Sequence, residues 1–308
     1  VMSNYTQTMQ FNVADEKFKI CYEGVFNLKE LIPSYAVFYT KNNYPDDELL
    51  FSIIVKDQLV EPKGVGKELG QFDCGGINHG IYLKDNGGYL ILISSTNGTI
   101  SCALSTTPDF KECEASIFGT QSEQSFGLNN ALMISYAFSG AYHNIVLMHA
   151  SVPLYKDYGI LCLGKSGTGK STHSSLWLSS IPETELLNDD NPVVRFKEET
   201  HEAIVYGSPW SGKTPCYRNK EAKIAAFLRL EQYPENIIIK EQGIKAFASI
   251  LSSCSTMIWD KPSYNKICET VSKICQYTSV FKLKCLPNKE AADTSFKAIF
   301  YENNHNSQ

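Results

Sequence analysis

The stretch from 164 to 172 constrains the fold most strongly, because it fits the phosphate-loop pattern G-x-x-x-x-G-K-[ST] at every defined position. A short apolar run, 158–163, precedes it and is typical of a buried strand, and residues 170–179 follow with the composition of a helix. A strand, a glycine-rich turn and a helix in this order aim backbone N–H groups and the positive end of the helix at one point. The sequence therefore predicts a binding site for the phosphate chain of a nucleotide.

The predicted cofactors are ATP and Mg²⁺. In this motif the lysine, Lys170, is expected to reach the β- and γ-phosphates, and the hydroxyl of Ser171 is expected to ligate Mg²⁺. The residues predicted to bind the nucleotide are Gly164, Ser166, Gly167, Thr168, Gly169, Lys170, Ser171 and Thr172.

Composition narrows the class of protein. The chain has 308 residues, is 43% hydrophobic and 20% charged, and carries a formal net charge of −5 without a basic run, which argues against nucleic acid and acidic membrane surfaces as partners. No apolar run approaches the ~18 residues that cross a membrane, and residues 1–17 lack an apolar signal core. The ten cysteines are scattered and form no C-x-x-C pair, as expected of reduced thiols. These features predict a cytoplasmic protein.

The distribution of strand and helix patterns predicts two domains. Residues 1–120 read as a β-rich N-terminal domain, in which short apolar runs, including 34–39, alternate with turn signals. Residues 121–308 read as an α/β nucleotide-binding domain that opens with a helix at 122–142 and continues with a strand at 145–152. Strand pairs with hairpin-like spacing indicate that its sheet is mixed rather than purely parallel.

Four residues are candidates for catalysis: His149, Asp189, Asp190 and Lys213. The two aspartates follow a short apolar strand, where carboxylates can face a metal beside the phosphate loop. One of them can accept the proton of an attacking hydroxyl. We expect Asp189 to be the base and Asp190 to ligate the metal together with Ser171, and the reverse assignment stays open.

Each candidate also has a plain structural interpretation. The aspartates fit an acidic turn before Pro192, and His149 fits a core histidine that satisfies one hydrogen bond. Lys213 and Arg218 fit either solvated cations or ligands of the γ-phosphate or the acceptor.

The order of His149, the phosphate loop, the aspartate pair and Lys213 resembles the HPr serine kinase/phosphorylase family over residues 145–220. The C-terminal segment 283–287 and the last helix are also similar to relatives of that family, whereas residues 1–120 are not. The resemblance implies a fold shared with phosphoenolpyruvate carboxykinases and unlike that of ordinary P-loop enzymes. It also implies that His149 lies near the transferred phosphate and that the aspartates supply a metal ligand and a base toward a serine hydroxyl. The family's phosphorylase signature is not evident, and 207–213 stands in its place, so neither that reaction nor HPr itself is expected.

The predicted function is an ATP-dependent kinase that transfers the γ-phosphate to a serine-type hydroxyl of a protein, a peptide or a small molecule. One alternative is a phosphoenolpyruvate carboxykinase-like enzyme, which is longer and needs several arginines for a dicarboxylate, whereas this chain has three, none before Arg195. The other alternative is a nucleotide-binding module without catalysis. The sequence does not indicate the acceptor, the role of the N-terminal domain or whether the chain forms a homo-oligomer.

Overall fold

The computed structural model describes residues 7–57, 65–73, 78–212 and 214–301. The chain divides into two compact units, 1–143 and 144–308. The predicted boundary lay at 120/121, before the long helix, whereas the structure places this helix in the first unit. The reason is packing, because the helix lies on strands of the first sheet.

The first unit contains one nine-stranded sheet with the order β3-β1-β2-β4-β9-β8-β7-β6-β5. Its neighbouring strands are antiparallel apart from the pairs β2–β4 and β4–β9, which are parallel. The elements are β1 (Gln7–Val13), β2 (Glu16–Tyr22), α1 (Leu28–Leu31), β3 (Tyr39–Thr40), β4 (Phe51–Lys56), β5 (Val65–Asp73), β6 (Asn78–Lys84), β7 (Tyr89–Ser94), β8 (Ile100–Thr106), β9 (Glu112–Ile117) and α2 (Gln121–Gly140).

The strand predicted at 34–39 is wrong, because the segment Pro33–Phe38 forms a 3₁₀ helix. Pro33 has the fixed φ that suits the first turn of a helix and lacks the N–H group that a strand ladder needs. Tyr35 and Phe38 are both buried and lie three residues apart, which places them on one side of the 3₁₀ turn.

The helix α2 begins at a capping box. The side chain of Thr120 accepts a hydrogen bond from the backbone N–H of Glu123, and the Glu123 carboxylate accepts one from the backbone N–H of Thr120. The hydrogen bonds that this carboxylate accepts from the backbone and hydroxyl of Thr120, from Asn97 and from Thr99 lower the pKa of Glu123 to about 2. The box fixes the start of α2 one residue before the predicted start.

The second unit contains a mixed sheet with the order β10-β14-β15-β16-β12-β11-β13, and β18 pairs with both β16 and β17. Two pairs, β12–β16 and β16–β18, are parallel, and the others are antiparallel. The elements are β10 (Ile145–Leu147), β11 (Ala150–Tyr155), β12 (Tyr158–Leu163), α3 (Lys170–Ser180), β13 (Thr184–Asn188), β14 (Val193–Lys197), β15 (Glu202–Tyr206), β16 (Glu221–Gln232), β17 (Ile237–Glu241), α4 (Gly243–Leu251), α5 (Lys261–Tyr277), β18 (Ser279–Cys285) and α6 (Lys289–Phe300). The predicted α/β class with a mixed sheet is confirmed.

The helices α3 and α6 pack together on one face of this sheet. Their shared core contains Trp177 of α3, Ala291 of α6, and Cys162 and Leu228 from β12 and β16. This core holds the helix that follows the phosphate loop in a fixed position on the sheet. Among the described residues, no helix is both long enough and apolar enough to cross a membrane.

The strand predicted at 145–152 is wrong in one respect, because the chain breaks it into β10 and β11 at Met148 and His149. The backbone N–H of Met148 donates to the carbonyl of Pro192, and that of His149 donates to the carbonyl of Ser253. The N–H of Ala150 then donates to the carbonyl of Asp190. His149 therefore lies at a break between two strands and not on a strand.

Candidate functional site

The phosphate-loop segment connects the end of β12 at Leu163 to the start of α3 at Lys170. Gly164 has φ +153°, and a Cβ atom at this position would lie 2.3 Å from Oγ1 of Thr168. The backbone N–H and the hydroxyl of Thr168 both donate to the carbonyl of Lys165, at 3.2 and 2.7 Å, and close the turn. Only glycine fits at 164, both because of the contact and because of the backbone conformation.

The first turn of α3 is suited to an anion. Its N-cap residue is Gly169, with φ +100°, which has no side chain that could cap the first N–H groups of the helix. Uncapped N–H groups at a helix start carry partial positive charge and favour phosphate. Ser171 lies in this turn and is exposed.

Lys170 lies over the beginning of the loop. Its ammonium donates to the carbonyls of Gly164 and Lys165, at 3.0 and 3.2 Å. Burial lowers the pKa of Lys170, and the charges of Asp190 and Asp189 act in the opposite direction. The lysine and both aspartates therefore share one electrostatic environment.

Asp189 is bound to the loop helix through two serines. Its side chain is buried, and Oδ1 accepts a 2.6 Å hydrogen bond from Ser151 of β11. The Ser151 hydroxyl lies 2.7 Å from that of Ser174, one helical turn beyond Lys170. Sequence reasoning did not identify either serine. The available signal was their position, since Ser151 lies in a buried strand and Ser174 lies on the buried face of α3.

Asp190 has a different environment, because it is partly exposed and pairs with His149. Nδ1 of His149 lies 3.1 Å from Oδ1 of Asp190, and the two side chains are 45% and 31% exposed. Oδ2 of Asp190 accepts a 2.8 Å hydrogen bond from Asn191. The break between β10 and β11 thus brings the predicted histidine to one of the predicted aspartates.

The segment after β15 packs against the aspartates. Nδ2 of Asn188 donates to the hydroxyl of Ser208 and to the carbonyl of Trp210, whose side chain is buried. A Cβ atom at Gly212 would lie 3.3 Å from Cβ of Asp190. Lys213, the fourth predicted catalytic residue, lies outside the described residues.

The side chain of Arg218 is bound to residues of β13. Its Nη2 donates to Glu185 at 2.9 Å and its Nη1 donates to the carbonyl of Leu186 at 2.7 Å. Lys220 also binds Glu185, and the hydrogen bond from Lys220 is the main cause that lowers the pKa of this glutamate. Arg218 therefore has a structural partner, and none of the hydrogen bonds described for it goes to the phosphate loop.

The donor set suits a cation that is held jointly with a nucleotide. The described residues contain no group of three or more His, Cys, Asp or Glu side chains that could hold a metal. Mg²⁺ is commonly held by one or two protein oxygens together with substrate phosphates and water. Ser171 is exposed and follows Lys170, which shares an electrostatic environment with both aspartates, so its hydroxyl fits that arrangement.

Comparisons with known proteins add little to this description. No protein-family model and no curated protein matches the sequence. Among solved structures, the chain is similar to the Hpr(Ser) kinase/phosphatase from Coxiella burnetii, with 14% identity and a TM-score of 0.28, over 52% of this chain and 95% of that chain. So low a score does not establish a shared fold.

Proposed function

We propose that the chain is an ATP-dependent kinase of the HPr kinase-like type, which transfers the γ-phosphate to a hydroxyl of a protein, a peptide or a small molecule. One observation carries this proposal. In a single sheet, Leu163 at the end of β12 pairs with Ala150 at the start of β11, so the phosphate loop and the His149–Asp190 pair adjoin each other. A site for a phosphate chain therefore lies beside an accessible carboxylate.

The chain's own residues then have distinct tasks. The N–H groups of the loop and the Lys170 ammonium position the phosphates and offset their charge, which is the main requirement of phosphoryl transfer. Mg²⁺, when bound, would neutralise charge on the phosphate oxygens, and Ser171 with an aspartate would hold it.

The environments of the two aspartates favour the reverse of the expected assignment. A general base must come within hydrogen-bond reach of the acceptor hydroxyl, and Asp190 is the more exposed of the two. His149 orients Asp190 through the 3.1 Å contact. Asp189 is 7% exposed and bound through Ser151 to the helix that carries Ser171, which suits the metal side of the site. We assign the base to Asp190 and the metal side to Asp189.

The carboxykinase alternative has less support. A dicarboxylate needs several free arginines, and Arg218 is bound to Glu185. A decarboxylation assay with oxaloacetate and ATP tests this alternative directly.

Calorimetric titration with Mg·ATP tests the proposal, with the wild type, Lys170→Ala and Lys165→Ala compared. Lys165 is an exposed residue of the same loop and serves as the matched control. We expect binding to the wild type and to Lys165→Ala, and no measurable binding to Lys170→Ala. Equal affinities of all three proteins would overturn the phosphate-loop interpretation. Radiolabelled ATP with candidate acceptors then separates a kinase from a passive nucleotide-binding module.

A further inference from the structure

Arg229 lies in the strand next to the phosphate loop. Because β16 runs parallel to β12, Arg229 pairs with Leu163, the last residue before the loop. Neighbouring strands are about 4.8 Å apart. The carbonyl of the next residue, Leu230, would lie 3.5 Å from a Cβ atom at Gly164. Arg229 is therefore one strand away from the point where the loop begins.

The end of α4 holds the Arg229 side chain. Its Nη1 donates to the carbonyl of Ser249 at 3.2 Å and to the hydroxyl of Ser252 at 2.7 Å. The next residue, Ser253, accepts the backbone N–H of His149 at 2.7 Å. One turn of chain thus joins Arg229 to the histidine of the candidate site.

Arg229 shares one carboxylate, that of Glu231, with two lysines. The hydrogen bond from Lys282 is the main cause that lowers the pKa of Glu231, and the charges of Lys282, Lys284 and Arg229 act in the same direction. No described carboxylate lies within ion-pair distance of the Arg229 guanidinium, because Glu231 pairs with Lys282, the neighbour of Arg229 on β18, and with Lys284. Three cations thus share one carboxylate, and the hydrogen bonds of Arg229 go to neutral groups. Partly buried cations are normally paired, so this arginine is suited to an anionic ligand.

We infer that Arg229 binds the terminal phosphate of the nucleotide, an inference that rests on the proposed function. The Lys170 ammonium lies on the carbonyls of Gly164 and Lys165, which is the end of the loop nearest Arg229. A second cation there would contact the phosphate that is transferred. Arginine presents a planar fork of donors that matches phosphate oxygens, and it stabilises the charge that develops during transfer.

The test compares Mg·AMP-PNP, a non-hydrolysable triphosphate, with Mg·ADP, which lacks the third phosphate. Calorimetric affinities are measured for the wild type, Arg229→Gln, Arg229→Lys and the control Lys282→Gln. We expect Arg229→Gln to lower the affinity for AMP-PNP by about tenfold or more and the affinity for ADP by less than about twofold. Arg229→Lys keeps the charge without the fork, so its loss is expected to be intermediate. Lys282→Gln is expected to change neither affinity.

Two results would overturn the inference while nucleotide binding by the wild type stands. If binding of both ligands were weakened equally and the midpoint of thermal unfolding were lower, Arg229 would only stabilise the end of α4. Unchanged affinities in Arg229→Gln would show that Arg229 does not contribute to the binding of either nucleotide. If the wild type bound neither ligand, the proposed function itself would fall, and the inference with it.

Discussion

The hydroxyl of Ser151 donates a 2.6 Å hydrogen bond to Oδ1 of Asp189. The same hydroxyl lies 2.7 Å from that of Ser174. All three side chains are buried, so their contacts join the strand β11, the aspartate turn and the loop helix α3 inside the protein. The contact fixes the distance between the phosphate loop and the acidic turn.

Ser151→Ala is expected to lower the free energy of unfolding by about 1–3 kcal/mol, because it leaves a buried carboxylate without its donor. Binding of Mg·ATP is expected to weaken as well, since Asp189 is no longer fixed against α3. Urea denaturation and calorimetry measure the two effects. The control is Ser175→Ala on the exposed side of the same helix, where the hydroxyl donates to the carbonyl of Ser171. Equal behaviour of the two variants would contradict this role of Ser151.

The two aspartates are expected to respond differently to substitution. Asp190→Asn should reduce kcat for phosphotransfer by about 100-fold or more while nucleotide affinity is retained, because a general base typically contributes that factor. Asp189→Asn should reduce Mg²⁺-dependent nucleotide binding instead. His149→Gln, which removes the partner of Asp190, should cause a smaller loss of kcat. The measurements are steady-state transfer from radiolabelled ATP and calorimetry, and full turnover by Asp190→Asn would refute the assignment.

Two glycines of the loop, Gly164 and Gly167, differ in what a side chain would meet, although both have positive φ. At Gly164 a Cβ atom would lie 2.3 Å from Oγ1 of Thr168, whereas at Gly167 it would meet no atom within 4 Å. Gly167→Ala is therefore expected to cost about 1–2 kcal/mol of backbone strain, and Gly164→Ala more than that. Thermal unfolding and Mg·ATP titration of both variants measure the order. Equal losses of stability in the two variants would show that the Thr168 side chain moves away from an added Cβ atom at little cost.

Local chemistry made part of the site predictable from sequence. The strand Tyr158–Leu163 has the predicted bounds, and α3 (Lys170–Ser180) begins at the predicted residue, because the loop motif fixes both ends. The aspartates follow β13 directly, as the apolar run before them indicated.

Contacts between distant segments account for what the sequence did not reveal. The break at Met148 and His149 depends on a hydrogen bond from Met148 to Pro192 and one from His149 to Ser253, and both acceptors lie in distant segments of the chain. The contact of Ser151 with Ser174 depends on the packing of a helix on a sheet. Local sequence patterns do not indicate such long-range pairs. The sequence therefore identified His149 and the aspartates as candidates but could not predict which of them are in contact.

His173 predicts a pH dependence of stability. It is 3% exposed, and its Nε2 accepts from Trp177 at 3.2 Å. Burial lowers the pKa of His173 from 6.5 to about 4. Because the unfolded chain takes up the proton first, this stabilisation is complete above about pH 6.5 and is lost as pH falls toward 4, by up to about 3 kcal/mol. His173→Gln keeps an acceptor for Trp177 but does not titrate. Its free energy of unfolding in urea should therefore fall less than that of the wild type between about pH 7 and about pH 4.5. The exposed His201→Gln is the control and should follow the wild type, and parallel curves for all three proteins would contradict the prediction.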